Sequence, residues 1–123
     1  MVTVLPYRAT IAELGSELVL VSVSGELDLY VEPELRASLA SADGRPGSTV
    51  IVDLSGVSFL DSTICGVLVG ETKRRRASHG DLAVVSNGPH TTRALQVAGI
   101  DRVIRVFPTL HEALQTLLGG PTR

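Results

Sequence analysis

Apolar positions along the chain switch repeatedly between a period of two and a period near 3.6, the spacings of a strand and of a helix. "TVLPYRATI" (3–11) and "ELVLVSVSG" (17–25) read as two strands joined by a turn at Glu13 to Ser16, with Pro6 pushing the first towards a sheet edge. In "EPELRASLASA" (32–42), Leu35, Leu39 and Ala42 recur at helical spacing, and Pro33 falls in the first turn, where its missing N–H does no harm. "STVIVDL" (48–54) is a buried strand, and Ser62 to Ser78 a second helix. "DLAVVS" (81–86) follows as a strand and "HTTRALQVAG" (90–99) as a short helix stopped by Gly99. "DRVIRVF" (101–107) reads as a strand and "TLHEALQTLL" (109–118) as a last helix stopped by Gly119 and Gly120. Strands alternating with helices over most of the length predict an α/β domain, with about four helices packed on a mixed sheet of about five strands. That domain spans residues 1–118, and residues 119–123 form a flexible tail.

Composition narrows the function classes. A chain of 123 residues is long enough for one self-sufficient core. That core is aliphatic, because aromatic residues are 3% of the chain and tryptophan is absent; few rings are left to stack on single-stranded bases. The formal charge of −2 gives the whole molecule no electrostatic footprint for DNA or RNA. Cys65 is the single cysteine, so no internal disulfide is possible and a reducing compartment is expected. "MVTVLPYRATIAELG" lacks a basic segment followed by a long apolar one, and no apolar run approaches bilayer length. These features predict a cytoplasmic protein that does not engage nucleic acid or membrane.

Catalytic groupings are not apparent. His79, His90 and His111 have neither an i, i+4 pairing nor a second cysteine to complete a metal site, and each reads as a surface residue. Cys65 lies among Ile64, Val67 and Leu68 and reads as a buried structural thiol. "GVSFLDS" has neither the lysine of a P-loop nor the flanking glycines of a nucleophile elbow. Positive charge at Lys73, Arg74, Arg75 and Arg76 is what the dipole favours in the last turns of a helix, so the run reads as a solvated helix end. No metal, cofactor or small-molecule substrate is therefore expected, and no enzymatic activity.

One stretch remains, "FLDSTICGVLVG" (59–70), in which two hydroxyl residues follow an aspartate where an apolar strand becomes a helix. Asp61 is a favoured N-cap, and Ser62 and Thr63 are ordinary in a first turn, so local capping alone accounts for them. The helical projection adds more. Ser62, Gly66, Val69 and Lys73 fall on one face with Gly70 close beside it, and each interior glycine costs about 1 kcal/mol relative to alanine. A serine heading a shallow stripe floored by glycine suits docking. Thr63, about 100° further round, is expected to turn away from that stripe.

Three segments, "VSGELDLYVEPEL", "VIVDLSGVSFLDST" continuing to "CGVLVG", and "RALQVAGIDRVIRVFPTLHEAL", together resemble the STAS domain of bacterial anti-sigma factor antagonists. The resemblance covers nearly the whole chain, and its most telling piece is D-S-[ST]-x-x-G-V-L, supported by G-E-L-D upstream. It implies a protein that binds an anti-sigma factor serine kinase and so frees a sigma factor. By the same resemblance the kinase phosphorylates Ser62 to break the complex, and a metal-dependent serine phosphatase restores it. The implied partner surface comprises Asp28, Asp61, Ser62, Thr63, Gly66, Val69, Gly70 and Lys73.

Two positions depart from the family pattern. Ile64 stands where glycine is usual, and a branched side chain there is expected to narrow kinase access or alter partner choice. Val31 stands where threonine or serine often follows G-E-L-D, which removes the usual side-chain cap of the first helix and leaves Asp28 to act in its place. Asp28 reads equally as a turn residue after a strand or as part of the partner-facing surface. Two rival classes compete with the antagonist reading. One is a STAS scaffold or transporter-associated module that never cycles through phosphorylation, which Ile64 favours and the intact serine opposes. The other is a small nucleotide-binding or catalytic α/β protein, which would need an acidic or basic constellation that the sequence lacks.

Overall fold

The structure, a computed structural model, describes residues 6–42 and 47–119. Five strands form one sheet in the order β1 to β5: β1 (Arg8–Glu13), β2 (Leu18–Leu27), β3 (Thr49–Leu60), β4 (Asp81–Val85) and β5 (Arg105–Phe107). Only β1 runs antiparallel to its neighbour; the other pairs are parallel. The parallel pairs require crossovers, which the helices supply. These are α1 (Glu32–Ser41) between β2 and β3, α2 (Ser62–Ala77) between β3 and β4, and α3 (Pro89–Val97) between β4 and β5; α4 (Leu110–Leu118) follows β5. The α/β class, the mixed sheet and the four helices are as the hydrophobic pattern predicts.

The central strands β2, β3 and β4 present their two faces to different layers. Val19, Val21 and Val23 of β2 and Val50, Val52 and Leu54 of β3 join Leu35 and Leu39 of α1, Leu68 of α2 and Leu95 of α3 in the main core. The opposite face carries Leu18, Ile51 and Val85, which pack with Ala113 of α4 in a smaller cluster. Being covered on both faces explains why β3 and β4 read as continuous apolar runs rather than alternating ones. Leu35, Leu39 and Ala42 are all buried, as their spacing predicts.

Three boundaries differ from the sequence expectation, each for a local reason. Strand β3 continues six residues past Leu54, through Ser55 and Gly56. Gly56 looks like a breaker but marks a close approach: a Cβ there would lie 2.8 Å from the Cβ of Ser24. The β2–β3 register shifts there, between the Ser22 and Ser24 pairings. "DRVIRVF" begins as a 3-10 turn (Ile100–Arg102), because Ile100 and Ile104 plug the core one helical turn apart, with the Ile104 N–H donating to the Ile100 carbonyl at 2.8 Å. Only Arg105–Phe107 is strand. The first strand begins at Arg8, after Pro6, and does lie at the sheet edge. Residues 3–5 of the expected strand, and 120–123 of the expected tail, lie outside the described residues.

Candidate functional site

Strand β3 delivers Asp61 to the carboxyl end of the sheet, in extended backbone (φ −104°, ψ 176°), as the N-cap of α2. Its Oδ1 accepts from the Ile64 N–H at 3.1 Å and so satisfies one of the orphan donors of the first helical turn. Its Oδ2 accepts from the Leu29 N–H at 3.1 Å. The Asp61 N–H in turn donates to the Leu27 carbonyl at 3.1 Å. One residue thus ties together the end of β3, the start of α2 and the segment that leaves β2.

That segment is a 3-10 turn, Leu29–Val31, capped by Asp28, whose Oδ1 accepts from the Tyr30 N–H at 3.0 Å. Asp28 therefore caps this turn and not α1, whose N-cap position is Val31 without a side-chain bond. Pro33 in the first turn and the acidic residues Glu32 and Glu34 suit that helix start instead.

Burial divides α2 into two sectors. Ile64, Cys65, Val67, Leu68, Thr72 and Arg75 are buried. Ser62, Thr63, Gly66, Gly70 and Lys73 are exposed, while Val69 is half-buried and packs at the margin of the core. A Cβ built on Gly66 or Gly70 would meet nothing within 4 Å, so no part of the described chain covers the stripe. Two expectations meet this geometry. Thr63, about 100° round the helix from Ser62 and within about 20° of Gly70, is exposed as well, so burial does not separate the two hydroxyls. Ile64 does not narrow access to Ser62, because its side chain is wholly buried in the core on the far side of the helix.

Cys65 is 4% exposed, and burial, reinforced by the negative charge of Asp61, pushes its thiol above the ordinary value of 9.0. A neutral, enclosed thiol is a poor nucleophile. The basic run is also not one solvated face. Arg75 is buried, pairs with Glu71 at 2.7 Å and donates to the Leu39 carbonyl of α1 at 2.9 Å. Arg76 pairs with Asp81 at 2.8 Å and donates to the Val103 carbonyl at 2.8 Å, while Arg74 pairs with Glu71. His79, His90 and His111 are exposed, as expected. Among the described residues, no three His, Cys, Asp or Glu side chains come together to hold a metal, and no helix is long and apolar enough to cross a membrane.

Sequence reasoning missed the apolar residues around this frame. Leu29 is 55% exposed, Tyr30 80% and Phe59 49%. Phe59 is two residues before Asp61, and Leu29 is bonded to it. Their strand and turn context reads as core-directed in one dimension; only the extension of β3 and the 3-10 turn bring them to the surface.

Comparison with known proteins agrees with this geometry. The STAS domain family matches residues 10–113. The anti-sigma-F factor antagonist RsfB of Mycobacterium tuberculosis is 32% identical over 111 residues, covering 90% of this chain and 89% of that protein. The crystal structure of an anti-sigma factor antagonist from Mycobacterium paratuberculosis superposes with a TM-score of 0.79 at 30% identity, covering 89% of this chain and 92% of that one. The anti-sigma factor antagonist SpoIIAA in its unphosphorylated form shares the fold, with a TM-score of 0.76 at 23% identity over 94% of this chain and 100% of that one. A D-S-T helix start on a sheet of this order and a family match over most of the length lead to one conclusion: the chain belongs to the STAS domain family.

Proposed function

We propose that this protein is an anti-sigma factor antagonist that binds an anti-sigma factor serine kinase, frees a sigma factor, and is switched off by phosphorylation of Ser62. The observation that carries the reading is an exposed serine at the first position of α2, heading a helix face at whose two glycines an added Cβ would meet nothing within 4 Å. Relatives of similar length bear the antagonist name, which supports the same reading. Asp28, Asp61, Ser62, Thr63, Gly66, Val69, Gly70 and Lys73 would form the contact surface, and a serine phosphatase would reset it.

The physics of the switch follows from where Ser62 sits. A phosphate adds about 1.5 to 2 negative charges. At the start of α2 that charge faces the positive end of the helix dipole, so the fold tolerates it. Under a docked partner the same charge is desolvated beside the Asp61 carboxylate and the exposed Phe59 and Leu29 side chains, which weakens the complex by several kcal/mol. The modification therefore acts on binding and leaves the domain folded.

The test uses a panel of purified anti-sigma factor serine kinases from the source bacterium, each incubated with the protein and ATP. Mass spectrometry should find one phosphate, on Ser62, and Ser62→Ala should abolish it while keeping binding. Ser62→Asp should weaken binding less than phosphorylation does, since a carboxylate carries about one charge against nearly two. Because Thr63 is also exposed, Thr63→Ala is the informative control and should change phosphorylation little. A phosphate found on Thr63, or none from a kinase that binds, would refute the switch and leave a non-cycling scaffold as the better reading.

A further inference from the structure

Tyr30 is, among the described residues, the most exposed large hydrophobic side chain, and Leu29 beside it is more than half exposed. Single apolar residues on a surface need no explanation. These two differ because the backbone that presents them is held in place. The Tyr30 N–H is bound by Asp28, the Leu29 N–H by Asp61, and the Val31 N–H by the Asp28 carbonyl at 3.1 Å. Three successive donors are thus satisfied from within the chain, and covering the turn would strand none of them. What the turn offers outward is apolar side chain on a fixed backbone.

We propose that the Leu29–Tyr30 turn is a preformed hydrophobic anchor that enters an apolar pocket of the anti-sigma factor, next to the surface that receives Ser62, and that Tyr30 sets which anti-sigma factor is bound. The inference rests on the antagonist reading above and adds to it a second contact and a specificity residue. Continuity carries the choice of partner. Asp61 holds the turn through Oδ2 and caps the helix of Ser62 through Oδ1, so a protein seated on the α2 stripe meets the turn as part of the same surface. The energetics suit an anchor, since a tyrosine with two rotatable side-chain bonds loses little freedom on docking and buries a large area. Aromatic anchors of this kind are frequent among residues that dominate interface affinity. Phe59, exposed two residues before Asp61 near the end of β3, adds a further apolar side chain to the chain leading into that carboxylate.

Isothermal titration of the same kinase panel against the unmodified protein, Tyr30→Ala, Tyr30→Phe, Leu29→Ala and Ser62→Asp tests the proposal. Tyr30→Ala should weaken the cognate complex at least about tenfold, and Tyr30→Phe should stay within about threefold, because ring area rather than the hydroxyl does the anchoring. In the phosphorylation assay Tyr30→Ala should raise KM for the antagonist and leave kcat nearly unchanged, the mark of lost binding at a distance from the reacting hydroxyl. Thermal melting of Tyr30→Ala should match that of the unmodified protein, which separates lost contact from lost fold. If Tyr30→Ala binds normally while Ser62→Asp does not, the anchor is refuted and the antagonist reading stands. If no kinase of the panel binds the unmodified protein, both fall. Loss of self-association in Tyr30→Ala with kinase binding intact would assign the turn to a second copy and also refute the proposal.

Discussion

Gly66 and Gly70 occupy interior positions of α2, where glycine is a poor helix former, and an added methyl at either would meet open space. Gly66→Ala should therefore stabilise the isolated domain by about 0.5–1 kcal/mol, since nothing offsets the gain in helix propensity. Thermal or urea unfolding would measure that gain, and on the proposed function the same variant should bind an anti-sigma factor more weakly, because its methyl would stand on the proposed docking face. A variant that gains neither stability nor loses affinity would remove the functional reason for the glycine. At this scale the candidate serine was legible from local grammar alone: an N-cap aspartate, a hydroxyl, and glycines at helical spacing. Tyr30 was not, because nothing in "DLYVEP" distinguishes a side chain that points to solvent from one that points inward. Nor could spacing alone settle Thr63, whose exposure depends on how far the buried sector of α2 extends.

The basic stretch shows how differently neighbouring residues of one element act. Arg75 reaches across to the Leu39 carbonyl and pairs with Glu71, joining α2 to α1, whereas Lys73 is exposed. Arg75→Ala should destabilise the domain by about 1–3 kcal/mol, as expected when a buried hydrogen-bonded partner is removed. Lys73→Ala should stay within about 0.5 kcal/mol of the parent protein. Chemical denaturation of the two variants side by side checks this, and equal stabilities would contradict the proposed tie between helices. Element type was largely readable from periodicity, as Leu35, Leu39 and Ala42 illustrate. Element ends were less so: Gly56 reads as punctuation in one dimension, but in the sheet it accommodates Ser24 and lets β3 run on to Leu60.

For the molecule as a whole, the formal charge of −2, together with the engagement of Arg74, Arg75 and Arg76 by Glu71, the Leu39 carbonyl and Asp81, argues against an attraction for polyanions. Titration with random duplex DNA at physiological salt should show no saturable binding; a dissociation constant of about 10⁻⁴ to 10⁻⁶ M, the range of non-specific DNA proteins, would contradict this. The sequence by itself determined the α/β class, the order of the elements and the D-S-T helix start. Those properties are local: they follow from side-chain period, caps and breakers within a few residues of each other. Tertiary structure alone decided that Ile64 turns into the core, that Arg75 is a tie between helices, and that Asp61 grips a turn 32 residues upstream. The reason is physical. Which sector of a helix is buried, and which carboxylate meets which N–H, depends on elements that pack together from distant parts of the chain, and no local period encodes that pairing.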